Sequence, residues 1–295
     1  MLLVNSSSEQ PMHPAEARRA SLLVAIDGSE AARAAARVGI EIARGQSMAI
    51  RGLYVVDLAL VMDPYADCQA ELGSVAEYHS RTDLIARLQR RGEEVLDWLS
   101  AQCRKAGVHS SAEVILGRVP EIVCQRAAEA ALLAVGRFGL GHTAARRRFG
   151  ANFRTVSHRA PCPFVSGGFE ARPLRRLLVA YNASERARRV LTWALRLQRS
   201  LPAEMIVLTV RQSDRDAVEQ WAQEAREQIA DSALSRCDFV VRDGEPVAEI
   251  LAAAADTKAD CILMGGYRHT AAVEWLVTST TKGVLKRLAL PAFVA

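Results

Sequence analysis

The chain contains the same short segment twice, and this repetition constrains its fold more than any other feature. Residues 22–30 read LLVAIDGSE and residues 177–185 read LLVAYNASE, so six of the nine positions are identical. In each copy, a run of small and branched apolar residues is followed by a Ser-Glu pair and then by a segment rich in alanine and arginine. This order is typical of a buried strand that turns into a helix. The sequence therefore predicts that one structural unit occurs twice.

The correspondence between the copies extends along most of the chain. Each copy has a glycine before a short helix-like segment, then an apolar strand-like run, and finally a strand that begins with proline. The matching landmarks are Gly117 with Gly244, residues 132–136 (LLAVG) with 262–265 (ILMG), and residues 163–165 (PFV) with 291–294 (PAFV).

Further strands and helices are predicted between these landmarks. Second strands are predicted at 48–56 and 205–210, and a helix is predicted at about 214–234. Strands that alternate with helices imply right-handed crossovers and a parallel sheet covered on both faces. The predicted fold class is therefore α/β, with two Rossmann-like open parallel five-stranded sheets that carry helices on both faces. In the first copy, four apolar residues at helical spacing would share one face of a helix: Leu84, Leu88, Val95 and Leu99.

The length of 295 residues also favours two domains over one. Gly167, Gly168 and Pro173 mark the linker, because glycine and proline interrupt regular structure. A free final strand would leave a sheet edge open to aggregation, so the final strands at 164–166 and 293–295 are expected to join the copies as an internal pseudo-dimer. The expected divisions are a disordered tail at 1–20, a first domain at 21–166, a linker at 167–173 and a second domain at 174–295.

Composition narrows the classes of function. The net charge of +5 is modest, and the basic residues of the chain are mixed with acidic ones. This distribution argues against a dedicated nucleic-acid binder. No apolar run approaches the roughly 20 residues that span a bilayer, and the N-terminal residues lack the features of a signal peptide. The six cysteines have no metal-binding spacing, as expected in a reducing compartment. We therefore expect a cytoplasmic protein that binds neither nucleic acid nor membrane.

The ends of the first and fourth strands carry the candidate ligand groups. In an open parallel sheet, ligands bind beyond the carboxyl ends of the strands. Ile26 and Asp27 follow the first strand, and an Asp there can accept a hydrogen bond from adenine or ribose; Asp27 and Ser29 could equally cap the following helix. The fourth strand is followed by glycines that let backbone N–H groups surround an anion: Gly136, Gly139, Gly141 and Gly150.

At these residues the chain resembles the universal stress protein family, over 21–166 and again over 174–295. The resemblance rests on VAIDGSE, LYVVD (53–57), VGRFG, the ending RAPCPFV (159–165) and the duplication. It implies a fold of the adenine nucleotide alpha hydrolase-like type. Members that bind ATP carry Gly-x2-Gly-x9-Gly-Ser/Thr after strand four, an Asp after strand one and a Val in strand two. Carried over, these positions are Gly136, Gly139 and Gly150, then Asp27, then Val55.

The first copy departs from this motif at two points. Ten residues lie between Gly139 and Gly150, and Ala151 stands where the motif has a hydroxyl residue. Asn152 or the arginines at 146–148 would have to compensate, because N–H groups and arginine both bind anions; a solvated surface is the other interpretation of those arginines. The resemblance implies ATP as ligand of the first domain only, with Mg²⁺ accompanying it.

The second copy departs further. Asn182 replaces the Asp, Arg268 and Thr278 replace the second and third glycines, while Gly265 and Ser279 remain. A bulky side chain in place of hydrogen should fill the pocket, so this domain is interpreted as structural or as a protein-binding domain. His142 and His269 occupy similar loop positions, and solvent exposure is the commoner state of such residues.

Three functional hypotheses follow, because a fold does not fix a function. The first is a cytoplasmic stress-response protein whose first domain binds ATP or a related adenine nucleotide as a regulatory ligand. The second is a nucleotide-independent module that binds an unknown protein partner, as an internal pseudo-dimer or a homodimer. The third is a weak ATP hydrolase, although the sequence has no Walker-type Lys-Ser/Thr pair.

Overall fold

Two sets of five strands form the centre of the molecule. A computed structural model of the chain describes residues 21–62, 81–140, 149–213, 217–230, 237–266 and 280–295. The first half contains β1 Ser21–Ala25, β2 Ala49–Asp57, β3 Ser110–Gly117, β4 Leu132–Gly136 and β5 Phe164–Gly167. The second half contains β6 Arg176–Ala180, β7 Glu204–Arg211, β8 Cys237–Asp243, β9 Cys261–Met264 and β10 Ala292–Val294.

Helices connect these strands. In the first half the described helices are α1 Glu30–Gly45, α2 Leu58–Met62, α3 Arg81–Ala106, α4 Val119–Ala127 and α5 Ala151–Arg159. In the second half they are α6 Glu185–Ser200, α7 Val218–Ala230, α8 Pro246–Asp256 and α9 Thr280–Arg287. None of these helices is long and apolar enough to cross a membrane.

The strand order is the same in both halves. The sheet runs β3-β2-β1-β4-β5 in the first half and, mirrored, β10-β9-β6-β7-β8 in the second, with every pairing inside a half parallel. The register also repeats, because Ala25 lies opposite Leu53 and Ala180 opposite Leu208. This arrangement confirms the predicted α/β class with two parallel five-stranded units.

The sequence predicts two five-stranded sheets, whereas in the structure the two units join into one ten-stranded sheet. β5 pairs antiparallel with β10, with Val165 opposite Phe293 at the centre of the contact. Both residues are fully buried. The final strand of each unit has a free edge of backbone N–H and C=O groups, and pairing satisfies both edges at once. The internal pseudo-dimer expected from the sequence is therefore formed by edge pairing.

The helices cover both faces of the sheet and bury two cores. One core lies under α1, α3, α6 and α7, and the other under α4, α5, α8 and α9. The apolar face predicted for the helix at 81–106 is buried: Leu84, Leu88, Val95 and Leu99. The helix expected at about 214–234 is described from Val218 to Ala230. The tail at 1–20 lies outside the described residues.

A buried arginine joins the two halves. Arg137 follows β4 and is completely inaccessible to solvent. Its guanidinium donates from Nε to the Gly167 carbonyl (3.2 Å), from Nη1 to the Leu285 carbonyl (3.2 Å) and from Nη2 to the Leu290 carbonyl (2.5 Å). Two of these acceptors belong to the second half. A buried cation is costly unless hydrogen bonds compensate it, and here the carbonyls of both halves do so.

The chain between the halves is fitted closely around this arginine. Phe169 stacks on Phe138, with ring centroids 4.4 Å apart, and its N–H donates to the Ala289 carbonyl. A Cβ added to Gly168 would lie 1.9 Å from the Ala289 oxygen and 2.3 Å from Arg137 Nη2. Only glycine fits there, so the glycine that the sequence marks as a linker is required by packing.

Replacing the buried arginine should weaken the union of the halves. We expect Arg137→Met to lower the free energy of unfolding by about 2–4 kcal/mol, because buried carbonyls of both halves lose their donor. Urea denaturation followed by circular dichroism measures this loss. The matched control is Arg154→Met, an exposed arginine on α5, which should change the value by less than about 0.5 kcal/mol. Equal effects of the two substitutions would contradict the assigned role.

Candidate functional site

The candidate ligand groups of the first half lie at one edge of the sheet. β2, β1 and β4 are adjacent and parallel, so their carboxyl ends meet at the same edge. Asp27 follows β1, Val55 lies near the end of β2, and Gly136 ends β4. The topology therefore brings together the three segments in which the sequence places its ligand groups.

Asp27 and Ser29 shape the turn between β1 and α1. Asp27 Oδ1 accepts a hydrogen bond from the Ser29 N–H at 2.9 Å. Ser29 Oγ accepts from the Ala32 N–H at 3.2 Å, which caps α1, and its hydroxyl donates to the Phe138 carbonyl at 3.1 Å. Of the two roles open from sequence, capping thus belongs to Ser29. Asp27 uses one carboxylate oxygen within the turn.

The second oxygen of Asp27 lies beside the glycine loop. A Cβ added to Gly139 would lie 3.9 Å from Asp27 Oδ2, and one added to Gly150 would lie 3.5 Å from the Gly139 nitrogen. Gly150 is the N-cap residue of α5 and has no side chain to cap it. The first N–H groups of α5 therefore begin next to Gly139 and Asp27. Such a helix start, with a glycine loop beside it, favours anions.

Gly136 has a different role in the structure. A Cβ at this residue would lie 2.6 Å from the Ala32 nitrogen and 2.9 Å from the Ala32 Cα. The end of β4 therefore passes in direct contact with the first turn of α1. Glycine is required here so that the strand and helix can approach, which is independent of any ligand.

The remaining candidates occupy different environments. Ile26 is 3% exposed and packs in the core with α1 and α3. Val55 is half-buried and packs against the opposite core. Ala151 and Asn152 are exposed in the first turn of α5. Gly141, His142 and the arginines at 146–148 lie outside the described residues.

Ser29 and Arg137 are parts of this edge that the sequence did not single out as site residues. The Ser29 hydroxyl connects α1 to the glycine loop, and the Arg137 carbonyl accepts the Gly150 N–H at 3.1 Å. A signal for Arg137 was present in the repeat, because an arginine follows the strand-ending glycine in one copy and Gly266 follows it in the other. This difference between the copies can be interpreted only when the carbonyls that accept hydrogen bonds from Arg137 are known.

The second half builds its corresponding edge differently. Asn182 Oδ1 accepts from the Ser184 N–H at 3.3 Å, which reproduces the turn made by Asp27 without its charge. Tyr181 stands where the first half has Ile26, and its hydroxyl donates to Glu224. Arg188 donates to both oxygens of Glu224, at 2.7 and 2.9 Å. A network of side chains thus links β6, α6 and α7; Arg268, His269, Thr278 and Ser279 lie outside the described residues.

The charged network of the second half should give a measurable pH dependence. Hydrogen bonds from Arg188 and from Tyr181 lower the pKa of Glu224 from 4.5 to about 2. A lowered pKa stabilises the fold fully above the ordinary value, and this contribution is lost as pH falls towards the folded-state value. We expect Glu224→Gln to lower the melting temperature at pH 7, and the difference from wild type to shrink between about pH 4.5 and pH 3.

The control for this experiment is Glu227→Gln on the same helix, where Glu227 is exposed and accepts a hydrogen bond from Gln223. Its melting temperature should follow the wild type at every pH. A constant difference between Glu224→Gln and the wild type down to pH 3 would show that the network does not titrate as inferred.

Substitutions of the first two glycines of the motif, Gly136 and Gly139, should differ in their effect on stability. Gly136→Ala should lower the free energy of unfolding by about 2 kcal/mol or more, because the added methyl group overlaps the backbone of α1. Gly139→Ala should change it by less than about 0.5 kcal/mol, because the nearest atom to its methyl group among the described residues, apart from its chain neighbours, is Asp27 Oδ2 at 3.9 Å. Urea denaturation of both variants tests this. An unchanged free energy of unfolding in Gly136→Ala would contradict the packing role of this glycine.

Comparisons with known proteins agree with this architecture. A family model described as the universal stress protein family matches residues 19–165 and 173–295. Among solved structures, a universal stress protein from Archaeoglobus fulgidus matches at 20% identity and a TM-score of 0.71, over 95% of this chain and 97% of that chain. A putative universal stress protein from Pseudomonas aeruginosa matches at 17% identity and a TM-score of 0.63, over 95% and 94%. A search of curated proteins found no match. The chain belongs to the universal stress protein family and carries two copies of its unit.

Proposed function

We propose that the chain is a cytoplasmic stress-response protein that binds ATP or a related adenine nucleotide as a regulatory ligand in its first half. The observation that carries this proposal is the convergence of Asp27, Gly139, Gly150 and the start of α5 at one sheet edge. No comparable cluster is described in the second half, where Asn182 replaces the carboxylate. The five described cysteines are free, which supports a reducing compartment.

The edge offers distinct groups for the two ends of a nucleotide. The Asp27 carboxylate can accept a hydrogen bond from a ribose hydroxyl or an adenine amino group. The N–H groups around Gly139 and the first turn of α5 can bind phosphate oxygens without a hydroxyl side chain, which Ala151 lacks. Mg²⁺ would enter with the triphosphate, because this ion is bound largely by substrate phosphates and keeps several waters.

The connection between this edge and the second half supports a regulatory role. The Arg137 carbonyl accepts a hydrogen bond from the Gly150 N–H. The guanidinium of Arg137 donates to carbonyls at the end of α9 and before β10. A ligand that shifts the backbone at Gly139 or Gly150 therefore acts on Arg137, which also forms the contact between halves. A protein partner that contacts both halves would detect this change.

A second candidate function is a protein interaction module that binds no nucleotide. One observation favours it: Gly136, the first glycine of the motif, is accounted for by packing against α1. Under this hypothesis the glycine loop is a remnant of the family motif. The binding experiment below separates the two functions.

Nucleotide affinity should depend on the first half and not on the second. We expect Asp27→Ala and Gly139→Arg each to weaken ATP binding by at least about tenfold, because a charged hydrogen bond is lost or the backbone donors are blocked. Isothermal titration calorimetry of the full chain measures this, and at most one nucleotide should bind per chain. The matched control is Asn182→Ala, the same position in the second half, which should bind as the wild type does. Absence of binding by the wild type at millimolar ATP would leave the interaction module as the function.

A further inference from the structure

A cavity of about 360 Å³ lies between the two halves, away from the candidate nucleotide site. Among the described residues, its walls come from the segment after α5, from α6 and from the ends of β9 and β10. This volume is at the lower end of the range for small-molecule sites, about 300–1,000 Å³. The cavity lies near the β5–β10 pairing, so an equivalent place exists on the other side of the pseudo-dimer.

Repeated hydrogen bonds establish which residues are equivalent. The Arg137 N–H donates to the Gly167 carbonyl, and the Gly266 N–H donates to the Ala295 carbonyl. The Leu133 N–H donates to the Pro163 carbonyl, and the Ile262 N–H to the Pro291 carbonyl; the Ala160 N–H donates to Val156, and the Leu288 N–H to Val284. The residue equivalent to Arg137 is therefore Gly266, and Leu285 and Leu290 are equivalent to Ser157 and Cys162.

The cavity occupies the place that corresponds to the Arg137 side chain. Arg137 donates to the carbonyls of Gly167, Leu285 and Leu290. The residues equivalent to these three acceptors all line the cavity: Ala295, Ser157 and Cys162. Gly266 also lines it and has no side chain to fill it. One side of the pseudo-dimer thus contains the guanidinium of Arg137, and the other side contains a cavity lined by the equivalent residues.

Local sequence makes these carbonyls suitable acceptors. The fourth residue after Ser157 is Pro161, which has no N–H, so the Ser157 carbonyl cannot receive the usual helical hydrogen bond. Cys162 precedes Pro163 just as Leu290 precedes Pro291, and a following proline restricts both to the same extended conformation. Burial raises the pKa of the Cys162 thiol to about 12, so its side chain remains neutral.

The wall formed by α6 carries cationic hydrogen-bond donors, whereas the carbonyls on the opposite wall are acceptors. Arg189 and Arg196 line the cavity together with Trp193. Arg196 lies over the Trp193 ring, with its guanidinium carbon 5.4 Å from the ring centroid, and Arg189 makes an exposed contact of 3.5 Å with Glu185. Arginine binds carboxylates through paired hydrogen bonds. A cation alone would be repelled by this wall, whereas a ligand that also carries a carboxylate would be attracted to it.

We propose that this cavity binds a small molecule with a guanidinium group at one end and a carboxylate at the other, of which free arginine is one example. The guanidinium takes the place that Arg137 occupies on the opposite side and donates to backbone carbonyls. The carboxylate lies at Arg189 and Arg196. This site is separate from the nucleotide edge and does not rest on the function proposed above.

Calorimetric titration of the full chain with three related compounds tests the proposal. We expect one L-arginine to bind per chain with a dissociation constant of about 1 mM or lower. L-citrulline, which has the same shape without the positive charge, should bind at least about tenfold more weakly, and so should agmatine, which lacks the carboxylate. Equal binding of arginine and citrulline, or heats that do not saturate, would overturn the proposal.

Variants test the two ends of the ligand separately. Arg189→Gln with Arg196→Gln should make arginine and agmatine bind equally, whereas Arg199→Gln, an exposed arginine of the same helix, should leave binding unchanged. Gly266→Arg with Val294→Ser reproduces the pair Arg137 and Ser166 of the other half and should abolish binding, while Val294→Ser alone should not. The second substitution relieves a contact of 2.7 Å from an added Cβ at residue 266. Arginine binding that persists in the folded Gly266→Arg variant would refute the site.

Discussion

The antiparallel pairing of β5 with β10 is the contact on which the rest of the structure depends. A parallel five-stranded unit ends in a strand whose outer edge has unpaired backbone groups. Joining two such edges buries Val165 and Phe293 at the centre and brings the segments before both strands close to the opposite half. Carbonyls in those segments then need donors, because buried unpaired carbonyls are costly. Arg137 supplies these donors on one side of the contact, and this requirement explains why an arginine is buried there.

Duplication within one chain allows the two sides of this contact to differ. In a dimer of identical subunits, one residue would occupy both symmetric positions, so an arginine or a glycine would occur twice. Here Arg137 stands on one side and Gly266 on the other. The same freedom separates the two sheet edges: Asp27 and Ile26 stand in one, whereas Asn182 and Tyr181 replace them in the other, where Arg188 pairs with Glu224. The β5–β10 pairing thus remains symmetric, while the residues around it differ between the two halves.

Sequence reasoning predicted the parts of the structure that depend on local patterns. The repeated LLVA strand, the alternation of strands with helices and the apolar face of α3 are such patterns, and the final strands indicated the joining edge. The continuous sheet was not predicted, since strand pairing between halves depends on residues 128 positions apart, Val165 and Phe293. The role of Arg137 was missed for the same reason, because its acceptors lie 148 and 153 residues away. Gly136 was assigned from motif spacing to a ligand, whereas only the distance to Ala32 shows its packing role.

Arg137 belongs both to the glycine loop and to the contact between the halves, so a rearrangement of one affects the other. Any rearrangement of the loop that moves the Arg137 backbone also moves a guanidinium with several buried acceptors, and fixed buried hydrogen bonds resist small displacements. A ligand at the Asp27 edge must therefore either fit the loop as Arg137 holds it or provide enough differential affinity to move the interface as well. Gly266, at the corresponding position of the second half, has no side chain that could make such hydrogen bonds. Under the proposed function, the first half is thus the one in which occupancy of the sheet edge would be coupled to the contact between the halves.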